Sequence, residues 1–168
     1  MKIRSQILIA GMLWTAPLAA QENSSDQNVE SQTLDLNHIG FAVSKLDATA
    51  SFFIDTLGWK AAGGRPEYPA KFVTNGKMFV TLWQVTNPDK AVAFDRKNNV
   101  GLHHMAITVR DLETLNNLHK KFVAHPYVVV EFAPEHLGNG PTTHMMIREP
   151  SGLRLEFIVP ANRINEAD

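Results

Sequence analysis

From His38 to Val43 the chain alternates. Ile39, Phe41 and Val43 fall on one side, and His38, Gly40 and Ala42 on the other. That two-residue period predicts a strand with one buried face. The period then lengthens to three and four through Leu46, Ala50, Phe53 and Leu57, which predicts an amphipathic helix stopped by Gly58. Three strand-like runs follow at 59–62, 71–74 and 78–85, with Asn75-Gly76 as the hairpin turn before the last. The same succession then returns. In GLHHMAITV (101–109), Met105, Ile107 and Val109 alternate with His104, Ala106 and Thr108. Leu112, Leu115, Leu118 and Phe122 predict a second helix that ends at His125-Pro126. Strand-like runs at 127–132, 143–149 and 154–159 complete the second half, with a turn at Ser151-Gly152.

The two halves superpose as sequence. HIGFAVSKLD, from His38, and HMAITVRDLE, from His104, match at a constant offset of 66 (38 to 104). His pairs with His, Gly40 with Ala106, Val43 with Val109, Leu46 with Leu112 and Asp47 with Glu113. An internal repeat of this kind sets the architecture. The expected fold is α+β: two βαβββ modules, 34–86 and 100–160, joined by a linker at 87–99 that holds Pro88 and Asn98-Asn99. The sheets would form a curved, half-open barrel, with helices outside and a cleft within. The parity of the first strands then sends His38 and His104 to the cleft. His103 goes to the helix side or the strand's edge, where it needs one hydrogen-bond partner.

The first 20 residues read differently. Lys2 and Arg4 precede an apolar run from Ile7 to Trp14, and small residues close the stretch at Ala19 and Ala20. This is the layout of a secretory signal, with an apolar run too short to span a bilayer comfortably; the alternative is an uncleaved N-terminal anchor. Residues 21–33 are polar and aperiodic and read as a flexible tether; 161–168 read as a tail. The expected location is periplasmic or secreted, with no membrane association after cleavage. The whole chain carries a formal charge of −1, from 16 basic and 17 acidic residues, without a basic stripe, which argues against nucleic acid as a partner. It has no cysteine, which excludes disulfides, thiolate metal sites and thiol catalysis.

The candidate chemistry lies on the cleft faces. Glu156 stands in the otherwise apolar LRLEFIV, where a carboxylate is costly unless something neutralises it. With His38 and His104 it makes a set suited to a divalent first-row metal with open positions. The structural alternative pairs Glu156 with Arg154 or Arg148. His144, in TTHMMIREP, is the candidate catalytic group for orienting substrate or moving a proton near neutral pH. Trp83, Met146 and Thr81 are candidates for contacting substrate, with Phe72 as a further apolar wall.

The duplicated βαβββ pattern, with LNHIGFAV, GLHHMAITV and EPSGLRLEF, resembles the vicinal oxygen chelate superfamily over about residues 36–159. That superfamily includes glyoxalase I, bleomycin-resistance proteins, fosfomycin-resistance transferases, methylmalonyl-CoA epimerase and extradiol dioxygenases. Glu149 stands where the family ending carries Asp. The resemblance implies that His38, His104 and Glu156 fall on metal-ligand positions and that the ion is Fe, Mn, Ni or Zn. It also implies a small-molecule substrate with neighbouring oxygens, and a site built within one chain or across a homodimer. The strand MFVTLWQV departs from glyoxalases and epimerases: Val80 or Thr81 stands where they place Glu or Gln, with Gln84 the nearest substitute. Two functions compete: a metal-dependent lyase, isomerase or dioxygenase-like enzyme, and a metal-free binder of the bleomycin-resistance type that sequesters an apolar or aromatic molecule.

Overall fold

The computed structural model describes residues 31–164. The expected signal segment and most of the tether lie outside the described residues. From Asp35 the described residues form one compact unit. Its first module runs β1 (Ile39–Val43), α1 (Leu46–Ser51), a π-helical turn (Phe52–Thr56), β2 (Lys60–Arg65), β3 (Ala70–Thr74) and β4 (Phe79–Gln84). The second runs β5 (Met105–Thr108), α2 (Leu112–Ala124), β6 (Val129–His136), β7 (Thr143–Arg148) and β8 (Arg154–Val159), and a short α3 (Ala161–Ile164) follows. Each module is one mixed four-stranded sheet, ordered β1-β4-β3-β2 and β5-β8-β7-β6. The first strand of each lies parallel to the last, and the other pairs are antiparallel. The sheets do not close into a barrel. The fold is the expected α+β pair of βαβββ modules.

The alternation fixes which face is buried. Phe41, Val43, Met105, Ile107 and Val109 are in the core, while Gly40, Ala42, Ala106 and Thr108 are exposed. Gly76 and Gly152 occupy the left-handed region, at φ 88° and 92°, as the tight turns before β4 and β8 require. Asp111 caps α2 by accepting the Thr114 N–H at 2.7 Å. Leu115 and Phe122 of that helix are buried, but Leu112 is exposed.

The first helix departs from the expected regular pattern. After Ser51 the turn widens, and the Leu57 N–H bonds to the Phe52 carbonyl at 3.2 Å. The wider turn lets two successive side chains, Phe52 and Phe53, both reach full burial. Phe53 packs on Trp59 of its own module, with ring centroids 5.0 Å apart. Phe52 instead meets Phe122 of α2 at 5.7 Å and His125 at 5.9 Å. The helix sides of both modules thus share one hydrophobic core.

A buried polar joint also links the modules. Glu149, 1% exposed, accepts the Thr49 hydroxyl at 2.6 Å and the N–H groups of Ser151 and Leu153 at 2.9 Å each. Burial pushes its carboxyl above the usual carboxylate range, although the bonds from Thr49, Leu153 and Ser151 oppose this. A group whose pKa is raised on folding stabilises the fold at low pH, and that contribution is lost as pH rises through the folded value. Stability of the wild type should therefore decline as pH rises from the usual carboxylate range into that of the raised pKa, and Glu149→Gln should lack that decline. Glu149→Ala, which leaves the Ser151 and Leu153 N–H groups without their acceptor and the Thr49 hydroxyl with Ser151 Oγ alone, should cost about 2–4 kcal/mol. Urea unfolding of the three proteins over a pH series checks both outcomes.

Candidate metal centre

Glu156 is held between two histidines. Its Oε1 accepts from His144 Nδ1 at 2.5 Å, and its Oε2 lies 3.1 Å from His104 Nε2. Strand register explains the meeting. β8 lies between β5 and β7, Glu156 pairs with Ala106 on one side and Met146 on the other, and His144 sits one pleat from Met146 on the same face. Glu156 is 7% exposed and His144 8%, so each imidazole–carboxylate contact compensates lost hydration. The alternative pairing of Glu156 with an arginine is not what forms. Arg148 and Arg154 both bind Glu131 instead, through contacts of 2.6 and 2.7 Å. Burial alone would raise the Glu131 pKa; the bonds from Arg154 and Arg148 outweigh it and hold the carboxyl below its usual range.

His38 is not part of this cluster. It is exposed, just ahead of β1; its Nδ1 donates to Asn37 Oδ1 at 2.8 Å, and its ring stands edge-on to Phe79 at 6.4 Å. Among the described residues its Nε2 has no hydrogen-bond partner in that tautomer, the arrangement of a histidine able to ligate. Among the described residues no group of three or more His, Asp or Glu is arranged to hold an ion. One chain brings together His104, Glu156 and His144 and leaves His38 apart. The donor chemistry of the His104–Glu156 pair suits a first-row divalent metal, imidazole nitrogen and carboxylate oxygen being ligand types such ions take.

His103 takes the second of its two expected places, exposed at the start of the strand rather than on the helix side. β5 begins only at Met105, so the pleat does not govern residue 103, which is exposed, whereas His104 is half-buried against Glu156. His103 Nδ1 lies 2.8 Å from His104 Nδ1 and 3.5 Å from the Arg154 guanidinium. Loss of hydration, then Arg154, lowers its pKa.

In the first module, Gly40 pairs with Thr81 as Ala106 pairs with Glu156, so Thr81 is the structural counterpart of Glu156. Gln84 is thereby excluded as a substitute, because it lies three residues on and faces the other way. The Thr81 hydroxyl donates to the Ile39 carbonyl at 3.4 Å and accepts the Trp83 indole N–H at 2.9 Å. Around it the open face is aromatic. Tyr68 and Trp83 are 5.1 Å apart, Trp83 and Phe72 5.7 Å, and Phe72 and Phe79 6.0 Å. Met146, the residue opposite Glu156 on β7, occupies the place that Phe72 takes opposite Thr81.

The pattern of the Glyoxalase/Bleomycin resistance protein/Dioxygenase superfamily matches residues 35–157. The chain belongs to this superfamily. Solved structures with the superfamily fold agree. A lactoylglutathione lyase from Agrobacterium tumefaciens is 20% identical at a TM-score of 0.58, over 79% of this chain and 98% of that one. A glyoxylase/bleomycin resistance protein/dioxygenase domain from Frankia sp. EAN1pec is 18% identical at 0.62, over 76% and 92%. A glyoxalase-related enzyme from Fulvimarina pelagi is 20% identical at 0.59, over 76% and 89%. No curated protein matches the chain.

Sequence reasoning on this superfamily member missed two acids. Glu131 joins Arg148 and Arg154, and Glu135 lies 3.9 Å from His144 Nε2. The signal for Glu131 was present: two arginines at paired positions on adjacent strands need a carboxylate between them.

Proposed function

We propose that this chain is an exported, divalent-metal-dependent enzyme acting on a small molecule with two neighbouring oxygens, by lyase, isomerase or dioxygenase-like chemistry. The observation that carries the reading is the nearly buried Glu156 carboxylate with an imidazole on each oxygen. His38, His104 and Glu156 would hold Fe, Mn, Ni or Zn, and the ion when bound would act as a Lewis acid on a substrate oxygen. His144 would keep Glu156 oriented through Nδ1, and its Nε2, 3.9 Å from Glu135 Oε1, would take or give a proton. Trp83, Thr81 and Met146 would form the substrate walls.

His38 belongs to the other module, and this supports a homodimeric site. Among the described residues, β1 and β5 each end their sheet with one edge unpaired. A second copy set against those edges would bring His38 of one protomer to His104 and Glu156 of its partner. Export rests on the basic, apolar and small-residue succession of the first 20 residues.

The second reading, a metal-free binder of an apolar or aromatic molecule, is favoured by one feature: Thr81 stands at the counterpart of Glu156, ringed by aromatics. Elemental analysis of the dialysed protein, after supply of Mn, Fe, Ni or Zn, separates the two. The metal reading expects the wild type to retain one of these ions and His104→Ala to lose it. A wild type that retains none of the four is the binder's result.

A further inference from the structure

A cavity of about 460 Å³ lies apart from the histidine cluster, and none of His38, His104, His144 and Glu156 lines it. It is bounded by the end of the first helix, the Asn75-Gly76 turn, the end of β5 and the start of α2. Its size is within the range of small-molecule sites, roughly 300–1,000 Å³. Trp59, Val109 and Phe157 form a buried apolar floor, and Leu118 is half-buried beside them. Lys60 and Arg110, both exposed, supply two cations.

Charge singles this cavity out. No Asp or Glu lines it, although acids outnumber bases in the chain. Neither Lys60 nor Arg110 has an ion-pair partner among the described residues. Asp111, next to Arg110 in sequence, accepts the Thr114 N–H as the helix cap. A metal cation would find no carboxylate here, and a neutral apolar ligand would leave both cations unused. We propose that this cavity binds a small amphiphilic monocarboxylate, its apolar part on Trp59, Leu118 and Phe157 and its carboxylate held by Lys60 and Arg110. The proposal shares no side chain with the proposed metal ligands, although Ile107 and Thr108 of β5 line the cavity.

Calorimetric titration of the full chain with hexanoate, hexan-1-ol and acetate tests it. Hexanoate should bind saturably, about tenfold or more tighter than either control, because charge-assisted hydrogen bonds and apolar contact both contribute. The Lys60→Gln/Arg110→Gln double variant should lose that advantage, and His104→Ala should keep it. Added salt should weaken hexanoate and spare hexan-1-ol in the wild type. Hexanoate binding no tighter than hexan-1-ol, or hexanoate binding unchanged in the double variant, overturns the proposal.

Discussion

Glu156→Ala is expected to weaken divalent-metal binding by about 100-fold or more, whereas His144→Ala should weaken it by about 10–100-fold. The difference follows from the roles proposed for the two side chains. Glu156 would be a ligand, and among the described residues no other carboxylate lies against both His104 and His144, Glu135 approaching His144 alone. His144 would act through Glu156, fixing its orientation by the 2.5 Å bond to Oε1. Outer partners of this kind tune affinity without setting it. Thr81→Ala should leave affinity unchanged, because its hydroxyl is turned to Ile39 and Trp83 and is a poor ligand for these ions. Competition with a fluorescent chelator near neutral pH measures all three. An unchanged affinity in Glu156→Ala sinks the ligand assignment. A His144→Ala loss as large as that of Glu156→Ala would instead make His144 a ligand.

The parts of this site legible in the sequence are those governed by a period. Alternation in β1 and β5 gave the open and buried faces, and the repeat singled out His104 over His103 as the partner of His38. Parity also kept Met146 and His144 together on β7. Where the period breaks, sequence reasoning fails. Residue 103 precedes the strand, so its side could not be counted. β6 carries two register irregularities, between Val130 and Phe132 and between Phe132 and Glu135, which hid the placement of Glu131 and Glu135. The choice between Val80 and Thr81 needed the pairing of β4 with β1, a relation that propensity does not contain. The Thr49–Glu149 bond joins residues 100 positions apart, and only the packed fold brings them together.

The largest stability loss should come from a residue absent from the expected helical pattern. Phe52→Ala is expected to destabilise the protein by about 3–5 kcal/mol, the range for a fully buried aromatic reduced to alanine. For a domain of this size that corresponds to a fall in Tm of roughly 10–20 °C. The physical reason is position. Phe52 is fully buried and touches Phe53, Phe122 and His125, and Phe122 in turn packs on Phe157 at 5.0 Å. Phe157 is the neighbour of Glu156 on the opposite face of β8. The ring therefore ties the first module's helix to the strand that carries the proposed carboxylate ligand. If the modules share one core, thermal unfolding of the wild type is a single transition and Phe52→Ala shifts it as a whole. Phe53→Ala, whose ring faces Trp59 within its own module, is the matched comparison. A Phe52→Ala loss below about 1 kcal/mol, or two separate transitions in the wild type, would show that the modules fold independently of this contact.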